Sequence, residues 1–236
     1  MKRLDVQIWS DIACPWCYVG KRRLETALAR FPHREDVAVS WRAFELDPSA
    51  PRVRDPAISY AQRLADKYGT SVTQAEAMIR SMTETAAADG LDFRFDTIRP
   101  GNTFDAHRVL HLAAARGKGD AAKERFLRAY LSEGEPIGDP EALIRLASEV
   151  GLDGDEVRAT LAGDAYAREV RHDQAEAQAM GIRGVPFFVF DRRYGVSGAQ
   201  PSEVLLRVLT RVWDELPETA PVVIAEGAVC GPDGCA

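Results

Sequence analysis

The chain is short of cysteine, of clustered positive charge and of long apolar runs, and each shortage removes a class of protein. Four cysteines in 236 residues are too few for a disulfide-stapled secreted scaffold. The formal net charge is −6, and the basic residues are scattered rather than grouped. That argues against nucleic acid or an anionic membrane surface as partner. No apolar run approaches the ~20 residues that span a bilayer. Met1-Lys2-Arg3 is basic, but a strand-like segment carrying Asp5 and Gln7 begins at once and leaves no signal-peptide core. The expected compartment is the cytoplasm. There is neither a fixed-period repeat nor a low-complexity segment. What remains is an ordinary globular composition, 46% hydrophobic and 28% charged. It is enough chain for one large domain, or one domain with an insertion.

The most informative segment is Cys14-Pro15-Trp16-Cys17. It follows Leu4-Asp5-Val6-Gln7-Ile8-Trp9, whose alternation of apolar and polar side chains predicts a strand. After it, Tyr18 to Arg30 is rich in helix formers. Two thiols in the first turn of a helix form a redox arrangement. Unpaired N–H groups and the helix dipole favour an anion there. The Cys14 thiol is therefore expected to ionise easily, and the thiolate is the attacking species. Pro15 suits an opening turn, where its missing N–H costs little. A purely structural disulfide would close so short a loop that it would stabilise weakly. A zinc site and an inert pair are the alternatives.

Further along, a second strand is expected at 37–44, and prolines at 48, 51 and 56 break regular structure. Helices are expected near 57–68, 72–88, 103–116, 120–133, 140–150, 155–162 and 164–180, with glycines at or just past their ends. Strand character returns at Val185 to Phe190 and at Tyr194 to Val196, followed by a helix from Pro201 to Glu215. The order is β-α-β, a block of helices, then β-β-α. This is an α/β thioredoxin fold with a large all-helical insertion. The thioredoxin-like part takes residues 1–50 and 182–216, the insertion 51–181, and a tail 217–236. Gly184-Val185-Pro186 heads the third strand, and a Val–Pro bond can be cis at modest cost.

Taken with Phe44-Glu45-Leu46-Asp47-Pro48, Asn102-Thr103, Ala106-His107-Arg108 and Ser197-Gly198-Ala199-Gln200, these motifs carry a resemblance. The chain resembles the FrnE-like subgroup of the DsbA family of thiol–disulfide oxidoreductases over about its first 200 residues. The resemblance implies Cys14 as nucleophile, Cys17 as resolving thiol, and Val185-Pro186 as a cis-proline pair beside them, with Pro15 and Trp16 as supporting residues. It implies no cofactor beyond the redox-active disulfide, with glutathione open as co-substrate, and protein or small-molecule thiols and disulfides as substrates. The same fold family holds 2-hydroxychromene-2-carboxylate isomerases and kappa-class glutathione transferases, which usually carry serine at the place of Cys14. Two cysteines therefore weaken a glutathione-dependent isomerase or transferase reading. A zinc-binding, non-catalytic module is the third reading.

Trp16 stands where DsbA-type oxidants often carry histidine. Without that cation the expected reduction potential is roughly −150 to −260 mV. Trp16 is either a packed aromatic or a substrate contact. His107 and His111 share a helix face, but no third ligand accompanies them, so both are read as structural and no metal is assigned. Asn102-Thr103 is expected to cap the helix near Phe104, with thiol or glutathione binding as the sharper alternative. The tail ends in Cys230-Gly231-Pro232-Asp233-Gly234-Cys235. Its turn-forming spacer brings the two cysteines close, which reads as a second redox pair serving the first. An idle tail and a zinc site built from all four sulfurs are the competing readings.

Overall fold

A computed structural model of the chain describes residues 2–53, 55, 57–217, 230–231 and 234–235. Strand β1 (Leu4–Ser10) leads into α1 (Pro15–Ala29) and then β2 (Val37–Ala43). Seven helices follow: α2 (Tyr60–Tyr68), α3 (Val72–Ala88), α4 (Phe104–Ala115), α5 (Gly119–Ser132), α6 (Pro140–Glu149), α7 (Gly154–Ala162) and α8 (Ala167–Ala179). The chain returns through β3 (Phe187–Phe190), β4 (Tyr194–Ser197) and α9 (Ser202–Glu215). One sheet runs in the order β2-β1-β3-β4. β1 is parallel to β2 and antiparallel to β3, and β3 pairs antiparallel with β4. This is the thioredoxin fold with a helical insertion between β2 and β3.

The first helix starts at Pro15 with Cys14 as its N-cap, so Pro15 stands in the opening turn and Cys17 in the first turn, as the motif predicts. Elsewhere boundaries move, each for a local reason. The third strand begins at Phe187, two residues after Val185. Pro186 has no N–H to give a ladder. The helix expected from residue 164 begins at Ala167, because Asp164 to Tyr166 forms a turn with Tyr166 left-handed at φ 62°. The alternation in β1 points to one exposed face, yet only Asp5 in that strand is exposed. β1 is an inner strand covered on both sides, and Gln7 is buried with its neighbours.

Two apolar cores meet at α1. One side of the sheet packs Leu4, Val6, Ile8, Phe188 and Phe190 against Leu24 and Ala27 of α1 and Leu205, Leu209 and Val212 of α9. The helical insertion has its own core around Leu112, Phe126, Leu127 and Leu131, and Ile12, Tyr18 and Val19 belong to it. Each such buried side chain contributes about 1.5–3 kcal/mol relative to exposure. Residues adjoining the C-x-x-C are thus fixed by the insertion, while the rest of α1 is fixed by the sheet. Polar ties reinforce the junction: Lys21 of α1 lies 3.2 Å from Asp120 and 3.1 Å from Glu124 of α5.

Candidate active site

Cys14 is the N-cap of α1, with extended backbone (φ −98°, ψ 112°), and Pro15 follows in the first turn. No acidic residue sits in that turn, so the positive end of the helix dipole faces the sulfurs unneutralised. Both thiols are free and buried, Cys14 at 4% exposure and Cys17 at 0%. Across from them the Val185–Pro186 peptide is cis. The Cys14 thiol donates to the Val185 carbonyl at 3.5 Å. Gly20 makes the close approach feasible: a Cβ there would lie 2.9 Å from Cγ of Pro186 and 3.2 Å from Cζ of Phe188.

The electrostatics correct one expectation. Cys14 was expected to be the easier thiol to ionise, but its thiol is raised well above the ordinary value. Its hydrogen bond with Cys17 is the largest cause, followed by burial and by the charge on Cys17. For Cys17, burial is the largest influence and pushes upward. The hydrogen bond from Cys14, the Lys123 cation, the Ser10 hydroxyl and the Asp11 backbone outweigh it and pull the thiol down. The two thiols are hydrogen-bonded to each other and titrate together, so a proton lost from the reduced pair leaves a charge that both sulfurs stabilise. Access, rather than ease of ionisation, is what sets Cys14 apart.

Asp11 organises the loop ahead of α1. One carboxylate oxygen accepts from the Leu46 N–H at 2.8 Å. The other accepts from the Ala13 N–H at 3.3 Å and lies 3.4 Å from Nε2 of His107. Burial pushes its carboxyl up, but His107, the Leu46 N–H and Lys123 hold it below the usual range. His111 faces a different carboxylate, Asp173, at 2.9 Å. That Asp173 also accepts from the Ala43 N–H and from Arg42, binding α8 to β2.

Cys14 opens on a cleft of about 1130 Å³ between the start of α1 and helices α2 and α3. Trp16, Leu46, Ile58, Tyr60, Met78 and Met82 give it an apolar wall, and Arg63 and Lys67 also border it. Trp16 is 44% exposed on this wall, so it is not a packed core aromatic. Cys17 does not border the cleft. Of the predicted binding pair, Thr103 lines the cleft and Asn102 does not. The cap of α4 also differs from expectation: the Asn102 side chain accepts from the Phe104 N–H at 2.8 Å, while the Thr103 side chain caps nothing. The side chains of Cys230 and Cys235 lie outside the described residues, although their backbones pair directly in a short hairpin of β5 (Cys230–Gly231) and β6 (Gly234–Cys235).

Paired thiols at a helix start, facing an X-Pro loop over this sheet, define a thioredoxin-fold oxidoreductase. Residues 5–210 match the family model described as the DSBA-like thioredoxin domain, and the chain belongs to that family. It is 49% identical to a Streptomyces coelicolor protein described as probable DsbA oxidoreductase SCO1869, whose crystal structure superposes with a TM-score of 0.85 over 99% of both chains. It is 31% identical to the uncharacterized protein YwbO of Bacillus subtilis over 79% of this chain and 86% of that one. The fold alone is shared with the cytosolic disulfide reductase DsbM of Pseudomonas aeruginosa, at 17% identity, a TM-score of 0.61 and coverage of 88% and 98%.

Sequence reasoning singled out the two thiols and the X-Pro loop. It missed Asp11, Gly20 and Lys123. Asp11 was discoverable as a lone carboxylate between a strand and a C-x-x-C. Lys123, in an ordinary charged helix segment, gave no signal at all.

Proposed function

We propose that the chain is a thiol–disulfide oxidoreductase in which Cys14 attacks a substrate disulfide and Cys17 resolves the mixed disulfide. The observation that carries this reading is the unequal access of the two sulfurs: Cys14 borders the cleft and Cys17 lies beneath it. Attack by Cys14 joins its sulfur to one half of the substrate and releases the other half as a thiolate, which takes up a proton. Cys17 then bonds to Cys14 and expels the second half. Two electrons pass to the substrate and the enzyme is left as the Cys14–Cys17 disulfide. Isomerisation uses the same steps in both directions.

The apolar cleft suits the side chains of a protein or peptide substrate. Arg63 and Lys67 on its border suit the carboxylates of glutathione as a co-substrate, a thiol found with the similarly folded DsbM structure. Of the 102–103 pair, Thr103 lines the cleft, which supports it over Asn102 as a contact for such a thiol. The reading keeps the FrnE-like subgroup, the cytoplasm as compartment, the split at 1–50 and 182–216 around the insertion, and Cys230 with Cys235 as a second exchange pair.

The test is trapping and turnover. Cys17→Ser is expected to accumulate mixed disulfides with substrate, Cys14→Ser is not, and insulin reduction is expected to need both thiols. Equal trapping by both variants, or by neither, overturns the assignment.

A further inference from the structure

We propose that Lys123, on α5 of the helical insertion, is the buried countercharge of the Cys14–Cys17 pair and sets its redox poise. The inference rests on the exchange chemistry proposed above and names a positioning residue for it.

Lys123 is fully buried, and among the described residues its ammonium makes no hydrogen bond and no ion pair. Its Nζ lies over the Trp41 ring, 5.4 Å from the centroid. Beside it is a cavity of about 10 Å³, bounded also by His107, His111 and Arg42. That is room for about one water. An ammonium kept in such a place is costly unless an anion offsets it. The neighbouring basic side chains already face carboxylates. Arg42 and His111 face Asp173, His107 faces Asp11, and Lys21 faces Glu25, Asp120 and Glu124. The anions that act on Lys123 are Cys17, Asp11 and Cys14, and Lys123 acts in return on Cys17 and Asp11. Burial is the larger influence and draws its ammonium down to about 8, with Lys21 adding to the fall.

The chemical consequence follows from where charge exists in the cycle. Only the reduced pair can carry a thiolate, whereas the Cys14–Cys17 disulfide is neutral. A buried cation that acts on the pair therefore stabilises the dithiol form and makes the disulfide the stronger oxidant. Trp16 leaves the motif itself without a cation. The insertion supplies a buried one, so the poise is not legible in the four motif residues alone.

The experiment uses the full-length protein, with Lys123→Met as a neutral replacement of similar length and Lys123→Gln as a second. Thiolate absorbance followed against pH, and equilibration with reduced and oxidised glutathione, are measured for each. Both variants are expected to titrate at higher pH than the wild type. Their equilibrium constants with glutathione are expected to move about tenfold toward the disulfide, close to 30 mV more reducing. A folded neutral variant with both quantities unchanged overturns the proposal. A wild type that never equilibrates with glutathione counts against glutathione as an exchange partner, while the thiolate titration still reports on Lys123.

Discussion

The thiol of Cys14 donates to the carbonyl oxygen of Val185, 171 positions later, at 3.5 Å. The contact pins the first sulfur to the loop ahead of β3 and leaves it at the edge of the cleft, while Cys17 has no exposed surface. A small alkylating reagent offered to the folded, reduced protein is expected to label Cys14 first. Cys17 is expected to stay unlabelled until the protein is denatured. Peptide mass spectrometry reads the outcome, and equal rates at the two sulfurs would contradict it.

A second expectation concerns Gly20. Any side chain there enters the 2.9 Å gap to Pro186 and the 3.2 Å gap to Phe188. Neither neighbour is a flexible chain end that can swing aside, so α1 and the 185–186 loop must separate. Gly20→Ala is expected to cost about 1–3 kcal/mol, the usual penalty of overpacking, even though alanine is the better helix former. Urea unfolding measures the loss. Insulin reduction should slow with it, because the same separation pulls Val185 away from Cys14. A variant at least as stable as the wild type would show that the loop yields freely.

The fold was legible because the sequence marks it with two independent periods and a motif. The alternation in β1 and β2, the glycines after the helices and the C-P-W-C segment each point to the same element order. Burial departs from the local pattern where tertiary context outweighs it: β1 lost its exposed face to helices packed on both sides. The site divides in the same way. Cys14 and Cys17 are visible because their chemistry depends on their spacing. Lys123 is invisible because its role depends on burial, and Ala121-Ala122-Lys123-Glu124 reads as any surface helix turn. Gly20 hides for a related reason, since glycine inside a helix gives no hint of what lies opposite.

The terminal cysteines lend themselves to a direct test. In the hairpin Cys230 stands opposite Cys235, and cross-strand partners in an antiparallel pair have Cα separations of about 4.5–5.5 Å. That spacing falls within the range a disulfide needs. The 12 residues from Glu218 to Val229 could extend to roughly 40 Å. Such a pair could reach Cys14, attack its disulfide through one thiolate and resolve through the other. The double variant Cys230→Ser, Cys235→Ser is expected to slow turnover with a thiol reductant while leaving the unfolding transition and the alkylation of Cys14 unchanged. Unchanged turnover would remove the tail from the cycle. Stoichiometric zinc in the reduced wild type, lost in the double variant, would replace exchange with metal binding.

The burial of Lys123 also predicts how stability depends on pH. Burial, the dominant influence, holds its ammonium at about 8 in the folded protein, against 10.5 for the free side chain. Between these values the unfolded chain binds more protons than the folded one, so stability rises with pH across that window. As pH falls through about 8 the folded protein must accept a buried charge, and that contribution is lost. Lys123→Met removes the charge altogether. At pH 7 the variant is therefore expected to be more stable than the wild type, by about 1–4 kcal/mol on the scale seen when buried charges give way to apolar groups. The difference should shrink as pH approaches 10.5. It should also be larger for the disulfide form than for the dithiol, because oxidation removes the ionisable thiols whose charge offsets the ammonium. Urea unfolding of both proteins, in both redox states and at several pH values, supplies the comparison. A less stable variant at pH 7, or a difference that ignores pH and redox state, would show that Lys123 serves packing rather than charge.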